Sequence, residues 1–161
     1  DHVVVDHDGT ADEHIAPLAQ QGLAVVPVAA DASTDEGIAA VIEHARRADG
    51  TLYGLVNVAG GADPSTWMPS TRVTRGDWRK IFADNLETAF FMSQAVAGEL
   101  VAQQQPGSIV SISSISGMNT APFHIAYGTA KAAITAMTRT MALELAEAGI
   151  RVNRSEERRV G

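Results

Sequence analysis

The stretch G-S-I-V-S-I-S-S-I-S-G, Gly107 to Gly117, is followed ten residues later by Tyr127-Gly-Thr-Ala-Lys131. Pro106-Gly107 is a turn signal, and Ile109, Val110 and Ile112 form a short apolar run rich in β-branched residues. The run predicts a buried strand over 109–112 that ends in Ser113 and Ser114. From about His124 the period changes. Ala130, Ile134, Met137, Met141 and Leu145 recur at three- and four-residue spacing, which predicts a helix over about 124–147. Tyr127 and Lys131 are four residues apart on that helix and share one of its faces. An isolated phenol ionises near pH 10, and a fixed positive charge beside it favours the phenolate. A phenol held beside an ammonium, facing a serine at a strand end, is a proton-transfer arrangement. Ser114 could hold a substrate oxygen against the Tyr127 hydroxyl. Y-x-x-x-K alone is an ordinary helix-surface spacing; the strand-Ser-Ser-x-x-Gly segment upstream gives it weight.

Outward from this stretch, strands and helices alternate along the chain. Val3 to Val5 read as a strand ending at Asp6, and Thr10-x-x-Glu13 has the spacing of a capping box opening a helix that stops at Gly22. Leu23 to Val28 is a second strand, ending near Ala30-Asp31. Ser33-x-x-Glu36 is another capping box, with Ile38, Val41, Ile42 and Ala45 as the apolar stripe. Leu52 to Val58 is a third strand, running into Ala59-Gly60-Gly61, and a polar loop follows over 62–73. Thr74-x-x-Asp77 caps one long helix carrying Trp78, Ile81, Phe82, Ala89, Phe90, Val96 and Leu100 on its apolar face. A last short strand is expected over 150–153. Apolar strands alternating with amphipathic helices predict an α/β fold: a doubly wound parallel sheet, Rossmann-like, covered on both faces. Such sheets bind ligands at the carboxyl ends of their strands, where Asp6, Asp31, Asn57 and Ser114 all fall.

Composition fits one domain or most of one. Hydrophobic residues make up 45% of the 161, enough for a core, and charged residues 19%, too ordinary for a disordered chain. A net charge of −7 argues against nucleic acid or an acidic membrane as the main partner. There is no cysteine, hence no disulfide or thiolate site, and the five histidines lack ligand spacing, so no metal site is expected. No apolar run approaches the ~20 residues of a membrane span, and no signal peptide is visible, so a cytoplasmic location is expected. The last eight residues, Arg154 to Gly161, break with the apolar text before them and resemble a translated sequencing adapter. They are set apart from the domain, which is taken as 1–153.

The Ser, Tyr and Lys resemble the active site of the short-chain dehydrogenase/reductases, in which a serine stands about thirteen residues before the tyrosine of Y-x-x-x-K, as Ser114 stands before Tyr127. The resemblance runs through residues 1–153 and implies hydride transfer between a nicotinamide dinucleotide and a secondary alcohol or ketone, with Ser114, Tyr127, Lys131 and Asn85 as catalytic residues. Ser114 would orient the oxygen. Tyr127 would donate or take the proton, and Lys131 would tune Tyr127 and bind the nicotinamide ribose. Asn57-Val58-Ala59-Gly60 resembles the family's Asn-Asn-Ala-Gly, which steadies the sheet and lets the backbone approach the cofactor. Asn85 matches the asparagine that bends the long helix and holds a water near the lysine. Asp6 is placed to accept from the adenosine ribose, which favours NAD over NADP; Asp8 competes for that role. Asp31-Ala32 matches the adenine contact.

No Gly-x-x-x-Gly-x-Gly phosphate loop occurs in the sequence. The resemblance therefore implies that the first strand, that loop and the C-terminal lid lie outside it, and that this stretch by itself is inactive. The helices at about 75–102 and 124–147 would pair subunits into a homodimer or homotetramer. Two other readings stand beside this one: a catalytically silent dinucleotide-binding regulator, and an epimerase or dehydratase relative acting on nucleotide sugars. The substrate is not legible; Ser116 to Met118, His124 and Trp67 are its candidate neighbours.

Overall fold

The computed structural model describes residues 2–6, 17, 20–22, 24–48 and 50–157. They fall into two compact units, 1–52 and 53–161. In the first, β1 (His2–Asp6) and β2 (Val25–Ala29) pair in parallel, with His2 opposite Val25 and Asp6 opposite Ala29. The helix expected from Thr10 lies largely outside the described residues; Pro17 and Gln20 are helical, and the chain turns at Gln21 and Gly22. Helix α1 (Asp35–Arg47) buries Val41 and Ile42. Its cap is Thr34 rather than Ser33. The Asp31 carboxylate accepts from Ser33 N at 2.9 Å and Ser33 Oγ at 2.6 Å, so capping passes to the next hydroxyl, and Thr34 Oγ1 accepts from Gly37 N at 3.0 Å.

The second unit holds β3 (Gly54–Asn57), β4 (Gly107–Ser114) and β5 (Ile150–Glu157), parallel and in the order β3-β4-β5. Central β4 exposes no residue on either face, which explains why every position is apolar, glycine or serine. Thr74 and Asp77 form the expected capping box, Thr74 Oγ1 accepting from Asp77 N at 3.1 Å and Asp77 Oδ2 from Thr74 N at 3.2 Å. The helix they open is not one continuous rod. Helix α2 (Arg75–Phe82) passes through a π-helical turn, Ala83–Glu87, into α3 (Thr88–Ala102). Helix α4 (Ile125–Glu144) ends before 147, and a short 3-10 turn, Ala146–Ala148, leads into β5. Leu100 of α3, Ile109 of β4, Ile134 of α4 and Ile150 of β5 are fully buried and form the centre of the core. Burying each such side chain stabilises the fold by about 1.5–3 kcal/mol.

β2 (Val25–Ala29) is shifted from the expected 23–28 and β4 extends two residues beyond 109–112 at each end; β5 and β3 differ as well. β5 does not stop at Asn153: Arg154 to Glu157 continue it opposite Ser111 to Ser114. The eight-residue β4 offers backbone donors and acceptors along its whole length, and pairing to them tolerates any side chain other than proline. β3 is shorter than 52–58 and is an outer strand of its sheet, with Val56 62% and Val58 66% exposed. No helix among the described residues is long and apolar enough to cross a membrane.

Candidate active site

In the second unit the carboxyl ends of β3 and β4 carry Asn57 and Ser114, and α4 follows β4 after a short 3-10 turn, Ile115–Gly117. Tyr127 and Lys131 lie on successive turns of α4, and the Lys131 backbone packs against that turn. The Lys131 ammonium lies 5.6 Å from the centre of the Tyr127 ring and donates to Ile112 O at 2.9 Å. Lys131 is only 3% exposed, so its side chain is held by protein contacts rather than by bulk water. Ser114 is buried, and its Oγ accepts from Ser116 N at 3.2 Å. With one lone pair engaged by that amide, the hydroxyl hydrogen and a second lone pair are left for a ligand.

The approach of α4 to the turn depends on Gly117. A Cβ there would stand 2.7 Å from the backbone carbon of Lys131 and 2.7 Å from Ala132 N, so only glycine allows the turn bearing Ser114 to touch the helix bearing Lys131.

Asn85 sits in the π-helical turn and is completely buried. Its amide donates to Ile81 O at 3.0 Å and to Gly61 O at 2.8 Å, and its Oδ1 accepts from Gly61 N at 2.8 Å. The back-bond to Ile81 O explains the widened turn, because it competes for a carbonyl of the helix ladder. The two bonds to Gly61 lock the loop after β3. Gly60 is part of the same lock, at φ 120° with Asn85 Oδ1 only 2.6 Å from where a Cβ would be. Ala59, Gly60 and Gly61 are exposed, so this floor is free of bulky side chains and fits the close backbone approach of a dinucleotide. The Asn57 amide points the other way, to Ser93 Oγ at 2.8 Å, Ser111 Oγ at 3.1 Å and Ala89 O at 3.3 Å. It ties β3 to α3 and β4, the sheet-steadying part of its expected role. In the first unit Asp6 ends β1, and Asp31 and Ala32 follow β2 in an exposed turn.

An aromatic wall adjoins Tyr127. The rings of Trp67 and His124 are 4.6 Å apart, and His124 lies edge-on to Tyr127 at 6.4 Å. Met68 N donates to Phe123 O at 3.1 Å, pinning the 62–73 loop against the start of α4. Thr66, Trp67, Asp77, Ile81, His124 and Tyr127 are among the residues around a cavity of about 10 Å³, into the range of a single water.

The sequence matches the family described as enoyl-(acyl carrier protein) reductase over residues 1–154. It is 37% identical over 150 residues to the protein named inactive 2-(S)-hydroxypropyl-CoM dehydrogenase 2 of Xanthobacter autotrophicus, covering 93% of this chain and 63% of that one. The acetoin dehydrogenase of Enterobacter cloacae has the same fold, with a TM-score of 0.84 and 33% identity over 94% of this chain and 60% of its own. An NAD+-bound xylitol dehydrogenase gives a TM-score of 0.87 at 29% identity, over 94% and 58%. The chain belongs to the short-chain dehydrogenase/reductase family. It spans about three-fifths of the length of these relatives.

Within this short-chain dehydrogenase/reductase chain, the sequence pattern brings Ser114, Tyr127, Lys131 and Asn85 into one unit with the 59–61 floor. Reading the sequence missed Ser93 and Ser111, which receive Asn57, and Ser113, whose buried Oγ donates to Lys131 O at 2.9 Å. One signal was present: serines recurring inside a strand with no exposed position need partners, and the partners had to be other buried groups.

Proposed function

We propose that the protein containing this chain is an NAD(H)-dependent dehydrogenase/reductase acting on a secondary alcohol or ketone. The observation that carries the reading is the buried Lys131 ammonium, fixed by Ile112 O beside the Tyr127 ring, at the end of the strand that bears Ser114. A bound nicotinamide dinucleotide supplies or accepts the hydride. The Ser114 hydroxyl donates to the substrate oxygen and polarises it. The Tyr127 hydroxyl gives that oxygen a proton in reduction and takes one from it in oxidation. The Lys131 ammonium, 5.6 Å from the Tyr127 ring, holds its charge beside the phenol and binds the nicotinamide ribose. Asn85 contributes by holding Gly60 and Gly61 under the cofactor, and Asn57, Ala59 and Gly60 form that floor. The full-length protein, screened with NADH against ketones and with NAD against secondary alcohols, should turn over at least one class; no turnover of any would overturn the reading. A silent dinucleotide binder is the second reading, favoured by the 37%-identical relative named as inactive. That reading predicts NADH binding without turnover in the same screen.

Asp6 at the end of β1 would accept from the adenosine ribose and repel a 2′-phosphate, while Asp31 and Ala32 would contact the adenine. Asp6→Ala should therefore raise the NADPH:NADH preference at least about tenfold, read as the ratio of dissociation constants. An unchanged ratio would pass the role to Asp8.

The assembly is proposed to be a homodimer or homotetramer through α2–α3 and α4. Phe91 and Val101 on α3 and Leu143 on α4 are exposed, and α3 is apolar around most of its circumference. Phe91→Asp with Leu143→Asp should lower the mass of the full-length protein in sedimentation to that of a monomer. An assembly unaffected by both changes would exclude these faces.

A further inference from the structure

We propose that Ser113, the neighbour of Ser114, is a positioning residue that holds Lys131 in place for Tyr127. The inference rests on the reading of Tyr127 and Lys131 given above. Two bonds run in opposite directions between consecutive residues of β4 and one residue of α4. Lys131 Nζ donates to Ile112 O at 2.9 Å, and Ser113 Oγ donates to Lys131 O at 2.9 Å. The lysine is thus held by its side-chain tip and by its own carbonyl. Ser113 is fully buried, so no water competes for its hydroxyl.

Four hydroxyls of α3 and α4 show what this contact displaces. Thr88, Ser93, Thr129 and Thr138 each donate to the carbonyl four residues back, at 3.0, 2.6, 2.7 and 2.8 Å. For Thr135 that carbonyl is Lys131 O. Its Oγ1 is buried and has no partner. Ser113 has taken the lone pair that Thr135 would use by the local rule, and a buried hydroxyl is left unpaired. A contact kept against such a cost does more than fill space: it sets where the Lys131 backbone sits against the strand that carries Ser114.

The test is a coupling cycle in the full-length protein: Ser113→Ala, Thr135→Val and the double variant. Alanine and valine fit the space of the residues they replace, so both singles should fold. Ser113→Ala should lower kcat for alcohol oxidation about tenfold with KM within about twofold, and move the acid limb of the kcat–pH profile up by about one unit. Thr135→Val alone should change nothing. In Ser113→Ala the Thr135 hydroxyl can turn to the vacated carbonyl, so the double variant should lose at least about threefold more than the two singles together. An unmoved pH profile in Ser113→Ala, or strictly additive effects, would overturn the proposal. Absence of turnover in the unaltered protein would instead remove the dehydrogenase reading. The tyrosinate absorbance of Tyr127, titrated against Tyr127→Phe, would then still report whether Ser113→Ala moves the phenol's ionisation, and no movement would overturn the positioning role.

Discussion

Tyr127→Phe in the full-length protein should lower kcat by at least about a hundredfold and leave the dissociation constant for NADH within about threefold. The substitution removes one oxygen. The ring that stands 6.4 Å from His124 and 5.6 Å from the Lys131 ammonium is retained, so packing and the position of the charge are kept. Only the group proposed to exchange a proton with the substrate oxygen is lost. Steady-state rates with a cognate alcohol, set beside a fluorescence titration with NADH, separate the two effects. Residual activity above about a tenth would remove Tyr127 from the proton-transfer role and leave Ser114 or water to fill it.

Asn85→Ala should destabilise the second unit by about 3 kcal/mol, read from urea unfolding, since one buried and two part-buried hydrogen bonds at about 1 kcal/mol each are removed together. The side chain is completely buried, and its loss takes away one partner each from Gly61 N, Gly61 O and Ile81 O. The freed Ile81 carbonyl can return to a regular helical partner, so the π-helical turn loses its cause. The loop after β3 loses its anchor at the same moment, so affinity for NADH should fall as well. Asn85→Asp should behave like the alanine variant, because a carboxylate cannot donate to Gly61 O or Ile81 O. A loss below about 1 kcal/mol would mean that water or a local shift replaces these bonds without difficulty.

Local patterns carried most of the fold. β4 could be read because each of its residues is buried or half-buried, and α4 because Ala130, Ile134 and Met141 repeat at helical spacing. Thr74 and Asp77 announced their capping box by spacing alone. What spacing could not reveal was competition for a single partner. Ser33 has the sequence position of a cap but is drawn off by Asp31, and Thr135 has the position of a back-bonding hydroxyl but loses its carbonyl to Ser113. The break between α2 and α3 has the same origin, a side chain claiming a backbone carbonyl. The extent of β5 was missed for a different reason. Strand pairing is written in the backbone of β4, and the residues from Arg154 on carry no apolar pattern of their own.

The outer position of β3 bears on how this polypeptide behaves when concentrated. Among the described residues no strand pairs with its second edge, and Val56 and Val58 stand open to solvent beside those unused peptide groups. A short, flat, valine-rich border without charge or proline is the kind of template on which chains add to one another strand by strand. For the 161-residue chain on its own, this border is the expected site of strand-to-strand association, opposed by mutual repulsion from the net charge of −7. Self-association through β3 would then compete with folding during expression and storage.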